Sequence, residues 1–213
     1  MADYNARIAP FINIVFYVTS AWWEQPRNHR GIDLSTGGND PLYSMCNGFV
    51  YYKGYDATGY GNYLIMKDST TGMGFLYGHL KDPTPLNQGD TVVIGQQVGI
   101  EGTTGHSTGN HLHLEMQDIS QHEWQYQAPK EVYTNPADFM GIPNVEGISV
   151  YYDGTPIPPT PTEDIKHKFP WFLYHRKRRL NFRTWQIDNF VLYNNYTFTQ
   201  RRKLLWKILL ISL

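Results

Sequence analysis

Between Asn39 and Glu115 the apolar residues come only in short runs, each cut by glycine or another turn former. Gly48-Phe49-Val50-Tyr51-Tyr52, Gly61-Asn62-Tyr63-Leu64-Ile65-Met66, Gly74-Phe75-Leu76-Tyr77 and Thr91-Val92-Val93-Ile94 are the main ones. Runs this short cannot build long helices. They predict an all-β domain, mainly antiparallel. No long segment with a helical period competes with that reading. The 19 glycines and 16 tyrosines fit strands joined by tight turns. Ile12–Val18 is the expected first strand. Residues 116–153 read as a closing section of loops, with a short helical turn over Asn135–Met140. No repeat of about 20–50 residues is present.

The charge distribution divides the chain. Residues 1–165 carry 7 Lys/Arg against 18 Asp/Glu, a net charge of −11. Residues 166–213 carry 11 Lys/Arg against 1 Asp/Glu, a net charge of +10. Between them lies Gly154-Thr155-Pro156-Ile157-Pro158-Pro159-Thr160-Pro161-Thr162, whose four prolines make a stiff, extended linker. The expected organisation is a domain over 1–153, a proline-rich linker over 154–165 and a flexible basic, aromatic tail over 166–213. The tail's cations and tryptophans suit an anionic wall polymer or an anionic membrane surface. Its end, Arg201–Ile211, suits a short amphipathic helix. A basic tail folding back on the acidic domain fits the same composition. Nothing in it resembles a nucleic-acid-binding motif, so no nucleic-acid partner is expected.

The single cysteine, Cys46, excludes an intrachain disulfide and is expected to be a small buried hydrophobe. The apolar run Pro10–Trp23 follows only one basic residue and ends in no small-residue cleavage site, so no signal peptide is expected. No stretch reaches the roughly 20 apolar residues of a membrane span. The expectation is a protein made in the cytoplasm without its own export route.

The chemistry lies in histidines. His111-Leu112-His113-Leu114 read as a strand puts both imidazoles on one face and both leucines in the core behind it. Glu115 continues the histidine face, either orienting an imidazole or serving as a structural or solvated carboxylate. His29 and Asp33, in His29-Arg30-Gly31-Ile32-Asp33, could share a helical face, but Gly31 weakens that reading. A loop entering a strand at Ile32-Asp33-Leu34 fits as well. Two imidazoles and a carboxylate are a ligand set of catalytic zinc. His79 lies between the clusters, in Tyr77-Gly78-His79-Leu80. His106, His122, His167 and His175 have no evident partner and read as ordinary histidines.

The ordered segments His29–Asp33, Gly59–Asn62, Tyr77–Leu80, Gly89–Gly99 and Ser107–Glu115 resemble the lysostaphin/LytM-type zinc endopeptidases of bacterial cell walls. The resemblance covers roughly residues 10–145. It implies the duplicated hybrid motif fold, a small antiparallel β-sheet or sandwich with an open groove. It implies one zinc held by His29, Asp33 and His113, with His79 and His111 as catalytic histidines. Asn110 stands where relatives often have another residue, with little consequence expected. The implied substrate is the peptide bridge of peptidoglycan. Thr103–Asn110 and Asp68–Gly74 are the candidate groove walls. Trp22, Trp23, Tyr60 and Tyr63 are groove candidates too, although core and turn roles are expected for most of them.

Combined with the missing export signal, this implies a phage lysin or a virion-associated wall-degrading protein. The runner-up is a non-catalytic wall-binding or phage tail structural module on the same fold; a third reading is a membrane-associating protein acting through its tail. The Gly89–Gly99 hairpin also resembles biotinyl and lipoyl carriers. A carrier needs a lysine at the hairpin tip, and none occurs between Lys81 and Lys130.

Overall fold

The computed structural model describes residues 1–155. The expectations for the linker beyond Thr155 and for the tail lie outside these residues. Twelve strands are formed: β1 (Tyr4–Asn5), β2 (Val15–Ser20), β3 (Ile32–Ser35), β4 (Pro41–Tyr43), β5 (Gly48–Asp56), β6 (Gly61–Asp68), β7 (Met73–Leu80), β8 (Thr91–Val92), β9 (Gln97–Ile100), β10 (Leu112–Asp118), β11 (Tyr133–Thr134) and β12 (Ser149–Tyr151). One short helix, α1 (Pro136–Met140), is capped by the Asn135 side chain and stopped by Gly141 in the left-handed conformation. The all-β expectation and the helical turn are both met. The expected first strand begins later, at Val15, and the two-residue β1 precedes it. Among the described residues no helix is long and apolar enough to cross a membrane.

One ten-stranded sheet runs β1-β12-β2-β3-β10-β7-β6-β5-β8, with β11 on the edge of β10. Only β1 and β12 pair in parallel. A separate two-stranded ribbon joins β4 to β9. Alternation explains where the core lies. On β10, Leu112, Leu114 and Met116 face the main core with Leu34, Leu64, Phe75 and Tyr77. On β6 and β7 the intervening Ile65 and Leu76 face the other way, against Ile119 and Trp124. The central strands are therefore buried on both faces, and His113, Glu115 and Gln117 occupy the face of β10 opposite the main core. Cys46 is buried, as expected.

Candidate metal centre and groove

Pairing of β3 with β10 places Asp33 directly opposite His113. His29 lies in the loop before β3, so the loop-into-strand reading of His29–Asp33 holds and the helical one does not. Gly31 is required by crowding: a Cβ there would sit 2.8 Å from the His113 ring and 2.6 Å from the Leu114 carbonyl oxygen. On the far side, a bulge after Val18 sets Ser20 opposite Asp33 and brings its hydroxyl 3.2 Å from His29 Nδ1.

The three side chains converge. Asp33 Oδ1 lies 2.8 Å from His113 Nδ1 and 3.1 Å from His29 Nε2, and the two ring nitrogens are 3.1 Å apart. Among the described residues this is the one group of such donors close enough to hold a metal ion.

The donor chemistry fits zinc. His29 Nδ1 faces the Ala21 carbonyl at 3.0 Å, which only accepts, so Nδ1 carries the proton and Nε2 offers its lone pair. His113 Nε2 lies 3.0 Å from Glu115 Oε1, leaving Nδ1 as the ligand atom. Carboxylates behind metal-binding imidazoles fix the tautomer this way. Tetrahedral zinc, with bonds of about 2.0–2.1 Å, separates its ligand atoms by roughly 3.3 Å, close to the spacing seen. Electrostatics point the same way. Burial disfavours charge on both Asp33 and His113, but their mutual hydrogen bond outweighs it. Asp33 is held well below the usual carboxylate range, and His113, also bonded to Glu115, is raised to about 9.

His79 and His111 stand over this triangle. Their rings are 4.6 Å apart between centroids, and His79 is 5.8 Å from His113. His111 Nε2 comes 3.7 Å from Asp33 Oδ1. His79 sits at the end of β7 with φ of 60°, uncommon for a side chain with a Cβ, and this turns its ring into the site. Its Nδ1 donates to the Thr104 carbonyl at 2.8 Å, and His111 Nδ1 donates to the Gly109 carbonyl at 2.8 Å. Both therefore present an unprotonated Nε2 when neutral. Burial, then the nearby His113 charge, lower the His79 pKa to about 4. The tight φ of 62° at Gly61 serves the same site: a Cβ there would run into Thr104, the residue that holds His79.

These five side chains line a groove of about 680 Å³. The expected wall Thr103–Asn110 contributes His106, Ser107 and Thr108. His106 is an exposed histidine on this wall. The other expected wall, Asp68–Gly74, is absent from the lining, because it is the far turn between β6 and β7, at the opposite end of those strands from His79. Tyr60 and Tyr63 do line the groove, whereas Trp22 and Trp23 pack on each other beside Lys130. Sequence reasoning missed Arg30, Asp56, Tyr126 and Gln127. Arg30 was inside the motif, beside His29. Tyr126 and Gln127 come from the closing section, which carried no signal.

Residues 27–129 match the family described as Peptidase family M23. An uncharacterized metalloprotease of Haemophilus influenzae is 34% identical over 89 residues, 42% of this chain and 18% of that protein. The DD-carboxypeptidase/endopeptidase Mpg of Neisseria meningitidis is 37% identical over 90 residues, 42% of this chain and 20% of that protein. The chain thus spans about a fifth of the length of these curated relatives. In fold it is similar to lysostaphin from Staphylococcus simulans, with a TM-score of 0.51, 24% identity, and coverage of 59% of this chain and 49% of that one. The matched segment contains all five site residues, His29, Asp33, His79, His111 and His113, and residues 27–129 are a peptidase family M23 domain.

Proposed function

We propose that this chain is a zinc endopeptidase that hydrolyses peptide cross-links of bacterial peptidoglycan. The observation that carries the reading is the convergence of His29, Asp33 and His113 within 3.1 Å, beneath two further imidazoles, on the floor of an open groove. An extended peptide suits such a groove. The relatives named above support the substrate class.

His29, Asp33 and His113 would hold the ion, one per chain. Zinc bound there supplies a Lewis acid for the scissile carbonyl and a water whose pKa falls to about 7. His79, kept neutral by burial, accepts a proton at Nε2. His111 presents its Nε2 on the same side, where its protonated form would donate to the developing oxyanion or pass that proton to the leaving amine. Glu115 holds the His113 ring, and Thr104 and Gly109 hold the other two. A recognition module without activity would need none of these tautomer-fixing contacts, so the complete set favours an enzyme.

The test is turbidity loss of purified walls by the zinc-loaded protein, with mass analysis of released fragments. Clearing that chelator and His113→Ala both abolish is expected. Stoichiometric zinc with no clearing of walls of several cross-link types would replace the enzyme with a recognition module.

A further inference from the structure

Four groove residues besides the histidines carry formal charge: Arg27, Arg30, Asp33 and Asp56. Three are satisfied within the protein. Asp33 is bound by the site histidines. Asp56 accepts from the Thr58 amide and hydroxyl at 3.0 Å each. Arg27 bonds Ser20 and pairs with Glu24 at 3.1 Å. Arg30 is different. Its Nε is buried without a hydrogen-bond partner. Nε pairs as an ion with Glu115 Oε1 at 3.6 Å, a contact too long for a hydrogen bond. That oxygen is already bonded at 3.0 Å to His113 and at 2.9 Å to Tyr60.

Arg30 therefore brings to the groove, one residue from a metal ligand, a cation whose one carboxylate pairing is a long contact through Nε. Its side chain is only 36% exposed, and with Nε buried, the polar part left to face the groove is the pair of Nη groups. That planar pair matches a carboxylate side-on, through two parallel hydrogen bonds. Tyr60, Tyr63 and Tyr126 line the same groove. Resting on the reading of the groove as a peptidoglycan peptidase site, we propose that Arg30 is a subsite for a free substrate carboxylate. The groove then selects acidic stem peptides next to the scissile bond over neutral oligoglycine bridges. A neutral bridge would make no charge-assisted contact with the Nη groups, and its affinity would lack that contribution.

Two stem carboxylates share this chemistry: the α-carboxylate of a γ-linked D-glutamate, and the carboxylate of a diamino acid. The test uses synthetic stem peptides, blocked at both ends, with both groups free or either one amidated, and a blocked tetraglycine. Binding to the full chain in chelator is measured by calorimetry, so that neither zinc nor catalysis contributes. Amidation of one of the two is expected to weaken binding about 10- to 100-fold, as loss of a charge-assisted contact does. Which amidation does so names the source. Arg30→Gln should bring the ratio of free to amidated peptide to one, and Arg30→Lys should restore part of it. The kcat/KM ratio of the zinc-loaded protein should follow.

Equal binding of free and amidated peptides, absence of binding by the free acid, or a ratio that survives Arg30→Gln would overturn the proposal. So would an Arg30→Gln protein that loses stability or zinc content while keeping the ratio; Arg30 would then be a counter-charge for Glu115. Wall hydrolysis with no carboxylate preference would sink this subsite alone. Carboxylate-selective binding without hydrolysis would sink the peptidase reading alone.

Discussion

Asp33 and His113 are cross-strand partners on β3 and β10, and their side chains meet at 2.8 Å. A ligand pair supplied by two hydrogen-bonded strands is rigid before any ion arrives, which a metal site requires. Asp33→Ala and His113→Ala should each leave the protein with well under one zinc per chain, by atomic absorption. Because Leu34, Leu112 and Leu114 stay packed behind the site, the β-type circular dichroism should survive. Full zinc content in either variant would remove that residue from the ligand set.

His79 and His111 should separate from the ligands in the same assay. His79→Ala and His111→Ala are expected to keep zinc and lose roughly 10²- to 10⁴-fold in kcat, the usual worth of a positioned acid or base. Loss of zinc instead would make the residue a ligand.

Glu115 acts through His113. The Glu115→Gln side chain keeps its size but cannot hold the imidazole as strongly. A 10- to 100-fold weaker zinc affinity is expected, on the order seen for such partners elsewhere. Competition with a chromogenic chelator reads this directly, and an unchanged affinity would leave Glu115 a purely structural carboxylate.

Gly61→Ala tests the backbone that supports His79. The added Cβ meets Thr104, and a φ of 62° is itself unfavourable for alanine. The variant should lose about 1–3 kcal/mol of stability. Its kcat should fall while zinc content holds, since Thr104 orients His79 and no ligand. A stable, fully active Gly61→Ala would show that Thr104 can move without cost.

The metal-free protein should show a distinctive dependence on pH. Burial opposes charge on His113, but Asp33 and Glu115 outweigh it and raise its pKa from 6.5 to about 9. A raised pKa gives stability that is complete below pH 6.5 and lost as pH climbs through about 9. Asp33 works in the opposite sense: its depressed pKa gives stability that is present above 3.8 and lost as pH falls below that. In chelator, melting temperature should therefore peak between about pH 4 and 6.5 and decline toward pH 9.5. Zinc competes with the His113 proton, so its affinity should rise over pH 6.5–9. A flat melting profile would show that His113 and Asp33 are not coupled in the absence of metal.

Much of the fold and of the metal site was legible because both obey local rules. Glycine-cut apolar runs give short strands, and a period of two puts His111, His113 and Glu115 on one side with Leu112 and Leu114 on the other. The order of the motifs added the fold family and the five site residues. What the sequence could not decide was which chain segments close around them. His29 as loop or helix, the contact of Glu115 with His113, and the hold of Thr104 on His79 depend on pairings between strands far apart in the chain. The groove walls depend on which end of a hairpin faces the site. That placed His106 and Tyr126 in the lining and left Asp68–Gly74 out. Arg30 is the clearest case. Its position beside His29 was plain, but that its Nε is buried without a hydrogen bond and reaches Glu115 only at 3.6 Å is a property of every neighbour at once, and only the assembled tertiary structure contains it.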